Sequence, residues 1–411
     1  MRKNVNFFPR CVKHGGLPGS FFSRLIASMN SAPIPAPAPP LRRPRLGYPI
    51  FDIEQHVQAR SRKEVARRLP LRYRERFLAG YVGDIRPNLD QRGGGNRGDI
   101  DRSGGLPDGG CPEVIRREIL DPYDVEWAIG TGTFYNLNIM PDADYAAAIA
   151  SAVNDWMLED FVHEDPRFLG SIALSMQDAD LAVREIERCA DRPRAVGIII
   201  STASRMPLGN RAFHRIYEAA QAHGLPVAAH TTVEGRGTSG PPGSAGYPSR
   251  YLEFHTNLAA SAITHAASLV CEGVFARFPN LRVVLLEGGI SWVLPLMWKL
   301  DAEWRRLRSE LPQLKERPSD YLRRQLFYTT QPIEEPRSPR HLLETYEAIG
   351  GRTQIMFSSD YPHWDFDDPF KILPGSTAAA LKRRILWENA LALYGPRLPG
   401  RPPFFSHDPL S

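Results

Sequence analysis

Residues 281–289 read LRVVLLEGG, a strand-length apolar run that ends on a carboxylate and two glycines. Consecutive Val and Leu without helical spacing favour a buried strand, and Gly288–Gly289 let the backbone turn tightly at its end. The same pattern recurs on both sides. Upstream lie Pro49–His56, Val125–Gly130, Leu169–Leu174, Ala195–Ser201 and Pro226–Thr231; downstream lie Leu326–Thr330 and Ile355–Asp360. Amphipathic stretches separate most of them: Asp142–Val162, Ala179–Cys189, Arg211–Gln221, Thr256–Arg277, Val293–Leu307 and His341–Ile349. Eight strand candidates with helices between them predict an α/β fold, a closed (β/α)8 TIM barrel. An open doubly wound sheet is the second choice.

Two regions break the pattern. Residues 1–51 hold eight Lys or Arg and no acid, and 31–49 read SAPIPAPAPPLRRPRLGYP, the composition of an extended linker. Residues 1–46 are therefore expected to be a disordered N-terminal extension, with one barrel domain over 47–411. The acid-free segment is similar in composition to a transit peptide, and an over-long translation start with Met29 as the true start is the plain alternative. The second break is the long connection Arg60–Pro122 after strand one, expected to be a lid or a mobile insertion. Gly93, Gly95 and Gly98 there spell GxGxxG, but no strand leads into them, so a dinucleotide site is rejected.

With 411 residues, 42% hydrophobic and 24% charged, the chain can bury a sizeable core. No apolar run approaches the roughly 18 residues of a membrane span, so no membrane partner is expected. The net charge of +5 belongs to the extension; the remaining 360 residues carry 43 basic and 46 acidic side chains. That distribution argues against nucleic acid. Cys11, Cys111, Cys189 and Cys271 are too far apart for a redox pair or a cysteine zinc cluster, and a reducing, cytoplasmic location is expected.

Function is concentrated where the strands end. Strand one ends FDIEQH, placing Glu54 and His56 two apart on one strand face. Strand five ends at His230, strand six at Glu287 and strand eight at Asp360. Each alone has a structural explanation: a satisfied histidine, an arginine-paired glutamate, a helix-capping aspartate. Together, two imidazoles and several carboxylates at one barrel mouth suit a divalent ion, Zn²⁺ ahead of Mn²⁺, with a coordination position left for substrate. No HExxH, GxSxG or P-loop occurs, and no lysine lies between Lys63 and Lys299. A two-metal site bridged by a carbamylated strand-four lysine is thereby excluded, leaving one metal.

The segments FDIEQH, GLPVAAHT, GVFARFPNLRVVLLEGG, FYTTQP and FSSDYPHWD resemble those of the amidohydrolase-superfamily branch that includes aminocarboxymuconate-semialdehyde decarboxylase. The resemblance spans about residues 48–395. It implies a single-metal barrel with Glu54, His56, His230 and Asp360 as metal ligands. Many members carry HGG after strand six; here the acid/base position is Glu287. Asp360 and Glu287 are the expected catalytic groups, and Trp292 and His363 the expected substrate contacts, with core packing the rival reading for Trp292. His255 and His265 are assigned to helix packing. The expected activity is hydrolysis of a small amide, lactone or other ester. Non-oxidative decarboxylation of an aromatic or unsaturated carboxylate is the alternative, since no arginine stands out as a carboxylate clamp; a non-catalytic binding barrel comes third. Ser291–Trp304, rich in aromatics, is a candidate homo-oligomer surface, which core packing explains equally well.

Overall fold

The computed structural model describes residues 46–80, 95–102, 104–132, 136–231 and 233–399. Residues 1–45 of the expected extension, and Gly93 of the glycine-rich loop, lie outside the described residues.

Eight parallel strands pair in chain order: β1 (Ile50–Gln55), β2 (Val125–Gly130), β3 (Phe168–Ala173), β4 (Ala195–Ser201), β5 (Val227–His230), β6 (Val283–Leu286), β7 (Leu326–Thr329) and β8 (Ile355–Met356). The ring closes through the segment after β8. Ile53 donates its N–H to the Phe357 carbonyl at 3.2 Å, and His56 donates to the Tyr361 carbonyl at 2.8 Å. The (β/α)8 barrel is the observed fold. β8 is shorter than the expected Ile355–Asp360 because Phe357 turns its N–H to the Ile385 carbonyl, outside the sheet.

The helices on the outside are α1 (Ala143–Glu159), α2 (Ala179–Cys189), α3 (His214–Ala222), α4 (Tyr251–Cys271), α5 (Val293–Arg306), α6 (Pro318–Gln325) and α7 (Pro339–Ala348). Asp142 and Asp178 cap α1 and α2, each accepting from backbone N–H groups of the first turn. α4 starts earlier than the expected Thr256 and ends at Cys271, where Gly273 takes a φ of 73° before a short helix, Val274–Arg277, resumes. α6 was not expected; its sequence PSDYLRRQ opens with proline, which suits a first helical turn. No helix among the described residues is long and apolar enough to cross a membrane.

Strand side chains alternate between two cores. Ile50, Ile172, Ile198, Val227, Val283 and Leu326 pack outward against the helices. Phe51, Ile129, Leu169, Ile199, Val284, Phe327 and Met356 fill the barrel, with Tyr394 and Leu398 packed beneath them. This apolar plug leaves polar groups to gather above it, at the C-terminal ends of the strands.

Candidate metal centre

In β1 the alternation is interrupted. A register irregularity between Asp52 and Gln55 lets Ile53 join the inner apolar core while Glu54, the next residue, also reaches inward with His56. His230 ends β5. Glu287 and Asp360 follow β6 and β8, and both hold left-handed backbone angles, φ 54° and 57°. Such a conformation is costly for residues other than glycine, and its appearance at both carboxylates marks local strain accepted to aim them inward.

These five side chains, all buried, meet at one point. Glu54 Oε1 lies 2.8 Å from His230 Nε2 and 3.7 Å from His56 Nε2. Glu287 Oε1 lies 3.0 Å from His230 Nε2 and 3.4 Å from His56 Nε2. Asp360 Oδ1 is 2.9 Å from His56 Nε2, and the two Nε2 atoms are 3.3 Å apart. The opposite ring nitrogens face backbone carbonyls: His56 Nδ1 to Gly132 at 3.3 Å, His230 Nδ1 to Thr231 at 3.1 Å. An Nδ1–H donated outward leaves an Nε2 lone pair facing the carboxylates, the arrangement metal-binding histidines use.

The donor set fits a cation. Both oxygens of Glu54, and Oε1 of Glu287, are buried and accept no hydrogen bond from outside the cluster. Burial alone would lower His230, but Glu287 and Glu54 override it and push the imidazole up to about 10. Burial, then the charges of Glu287, Asp365 and Glu54, drive the Asp360 carboxyl well above its usual range. Glu287 goes the other way: burial would raise it, but the His230 and His56 imidazoles hold it well below. A crowded pocket of carboxylates thus calls for positive charge, which a divalent ion supplies more compactly than protons. Two overlapping groups have the geometry to hold one: Glu54, His56, His230 and Glu287, and His56, Glu287, Asp360 and His363.

His363 sits at the edge of the cluster, its Nδ1 2.6 Å from Asp360 Oδ1 and its ring 4.2 Å from that of His56. Trp292 lies apart from it. Its indole N–H donates to the Gly288 carbonyl at 2.7 Å, and its ring packs edge-on to Tyr328 in the core. Within Ser291–Trp304, Trp292 and Trp304 are buried while Trp298 is 65% exposed. His265 is a packing residue: its Nδ1 accepts from Leu208 N–H at 3.1 Å, and burial pushes it down to about 4.

Three residues at the site, Asp52, Gln331 and Asp365, carry no role in the sequence reading, and a fourth, His255, is assigned there to helix packing. Asp52 is buried and accepts from Ser359 N–H (2.9 Å), Ser359 O–H (2.6 Å), the Gln55 amide (2.8 Å) and Glu54 N–H (3.3 Å). It fastens the β1 ligand pair to the segment that carries Asp360. Gln331, directly after β7, donates to both Asp360 Oδ2 (3.1 Å) and Asp365 Oδ2 (3.0 Å). Asp365 in turn faces His255 Nε2 at 3.4 Å. An acid among apolar residues in FDIEQH was the available signal for Asp52; nothing in the sequence joins His255 to Asp365.

Fold and site together define a metal-dependent barrel enzyme of the hydrolase-or-decarboxylase class. The amidohydrolase family matches residues 114–395, more than half of the chain, and the chain belongs to that family. Among curated relatives, a gamma-resorcylate decarboxylase of Polaromonas is 26% identical over 322 residues, covering 72% of this chain and 94% of the relative. A gamma-resorcylate decarboxylase of Rhizobium radiobacter is 26% identical over 304 residues, covering 70% and 87%. Among solved structures, a 5-carboxyvanillate decarboxylase of Novosphingobium aromaticivorans, complexed with manganese and 4-hydroxy-3-methoxy-5-nitrobenzoic acid, superposes with a TM-score of 0.63 at 20% identity, covering 85% of this chain and 97% of that one. These relatives overturn the expectation of a hydrolase. The absence of an arginine clamp argued for hydrolysis only if arginine were the sole cation available, and a bound metal removes that premise.

Proposed function

We propose that this protein is a non-oxidative decarboxylase of a small hydroxylated aromatic carboxylate, with one divalent ion held by Glu54, His56, His230 and Asp360 and with Glu287 beside it. The observation that carries the reading is the buried cluster of unsatisfied carboxylate oxygens and inward-facing imidazoles in a chain similar, over most of its length, to aromatic-acid decarboxylases. Manganese is preferred to zinc, because three carboxylates, Glu54, Asp360 and Glu287, surround the ion's position and suit the harder ion. The ion, when bound, supplies a positive charge that anchors and orients the substrate's oxygen atoms.

The protein's own groups account for the proton. Decarboxylation replaces a C–C bond by a C–H bond: the ring carbon gains a proton, the carboxylate leaves as CO₂, and the bonding pair remains on the ring. Asp360 is the acid. It is buried at the barrel mouth, and Gln331 and His363 fix its two oxygens. Glu287 lies beside the ion, and the Gly132 and Thr231 carbonyls orient His56 and His230. The test is to incubate manganese-loaded protein with a panel of hydroxybenzoates, 2,6-dihydroxybenzoate and 5-carboxyvanillate included, and to follow CO₂ release and loss of the carboxylate. Release from at least one member is expected; no release from any, with metal bound, overturns the proposal.

A further inference from the structure

The five residues of the metal cluster are buried, and the side chains that join them to the surface are partly exposed. His363 is 30% exposed, Asp365 13% and His255 22%. From Asp360 a chain of contacts runs outward through Gln331 and Asp365 to His255, with steps of 3.1, 3.0 and 3.4 Å. These contacts limit the distance from Asp360 Oδ2 to His255 Nε2 to at most about 10 Å, within the span of one ring held between two polar groups. His255 is on α4.

Its surroundings are suited to an aromatic ligand. Tyr251, one helical turn earlier, stacks on the His255 ring at 5.6 Å, and Trp364, 45% exposed, lies 5.7 Å away on the other element. Asp365 engages Nε2 and favours the charged imidazole; Nδ1 has no partner among the described residues. A donor fixed at a rim of aromatic rings can read an oxygen at the far end of a flat substrate.

We propose that His255, anchored by Asp365 and flanked by Tyr251 and Trp364, binds the oxygen substituent that the aromatic acid carries farthest from its scissile carboxylate. The assignment rests on the decarboxylase reading. His255 is a positioning and specificity residue and performs no chemistry. It supplies the second polar anchor that no arginine provides, and it makes the enzyme selective for acids oxygenated at the remote end of the ring.

The experiment compares matched ligands, 2-hydroxybenzoate against 2,4-dihydroxybenzoate, on manganese-loaded wild type, His255→Phe and His255→Gln. Binding is read by calorimetry, and KM and kcat wherever turnover occurs. Wild type should bind the 4-hydroxylated acid about tenfold more tightly. His255→Phe, which keeps the stacking and loses the donor, should abolish that preference through KM with kcat little changed. His255→Gln should restore part of it. Metal content and melting temperature establish that each variant is folded. A wild type without preference, or a His255→Phe variant that keeps it, overturns the assignment even if CO₂ is released. A preference lost in His255→Phe when neither acid is decarboxylated supports the binding role and counts against the proposed reaction instead.

Discussion

Replacing Asp360 by Asn separates a proton donor from a structural hub. The carboxylate sits 2.6 Å from His363 Nδ1 and 2.9 Å from His56 Nε2 through Oδ1, and accepts from Gln331 at 3.1 Å through Oδ2. Asn can keep its oxygen on one side only, so its NH₂ group confronts a donor on the other. One lost hydrogen bond costs about 1 kcal/mol. The same change replaces a carboxyl that, without metal, burial and then the charges of Glu287, Asp365 and Glu54 make costly to ionise. The two effects oppose each other, and the melting temperature of the metal-free protein should stay within about 4 °C of wild type. Chemistry should respond differently. An amide cannot deliver the proton, and general acid catalysis is typically worth about 10²- to 10⁴-fold; kcat should fall by that factor with a smaller change in KM. The assay is CO₂ release under substrate saturation, with calorimetric unfolding on the same samples. Turnover within a few-fold of wild type would refute the acid role. A collapse of stability with activity would show that Asp360 acts as a hub.

His56→Ala with His230→Ala should reduce manganese to well under one equivalent by elemental analysis, with the barrel's far-UV spectrum unchanged; full stoichiometry in the double variant rejects the site. His265 must remain neutral to accept from Leu208, and its folded value of about 4 lies below the ordinary 6.5. The stability it contributes is complete above pH 6.5 and is lost as pH falls toward 4, about 3 kcal/mol in all. Unfolding of His265→Gln should therefore show a flatter acid limb; an unchanged limb refutes the assignment. Deleting residues 1–45, an acid-free and proline-rich stretch that stops short of Leu46 on the core, should leave metal content and melting temperature nearly unchanged, and a large drop in melting temperature would make it structural.

The barrel was legible because its signal is repeated: each apolar run appears as a strand, and five of the strand-end groups converge. Glu54 and His56 were placed together by strand alternation, although their inward aim also depends on a bulge that no residue pattern announces. Helix ends were less legible. α4 begins at Tyr251, ahead of Thr256, and Tyr251 and Phe254 pack on each other at 6.2 Å, an i, i+3 pair that the sequence reading left out. The partner of His255 was illegible for a related reason: its position on a helix is local information, whereas its pairing with Asp365 depends on how α4 and the β8 loop meet. The reaction itself was not legible, since one donor set serves hydrolysis and decarboxylation alike.

Asp52 and Ser359, 307 residues apart, clasp the first strand to the last. The barrel has no hub that forms early and waits: two of the proposed ligands arrive with the first strand, His230 halfway along, and Asp360 only when the ring is shut. Until then Glu54 and His56 belong to an unpaired edge, and the entropy of closing so long a loop must be met before any ion can be gripped. Metal capture should thus be a late event during synthesis and refolding, reporting on completed closure. A chain stalled before the β8 loop would have most of its hydrophobic mass and none of its chemistry.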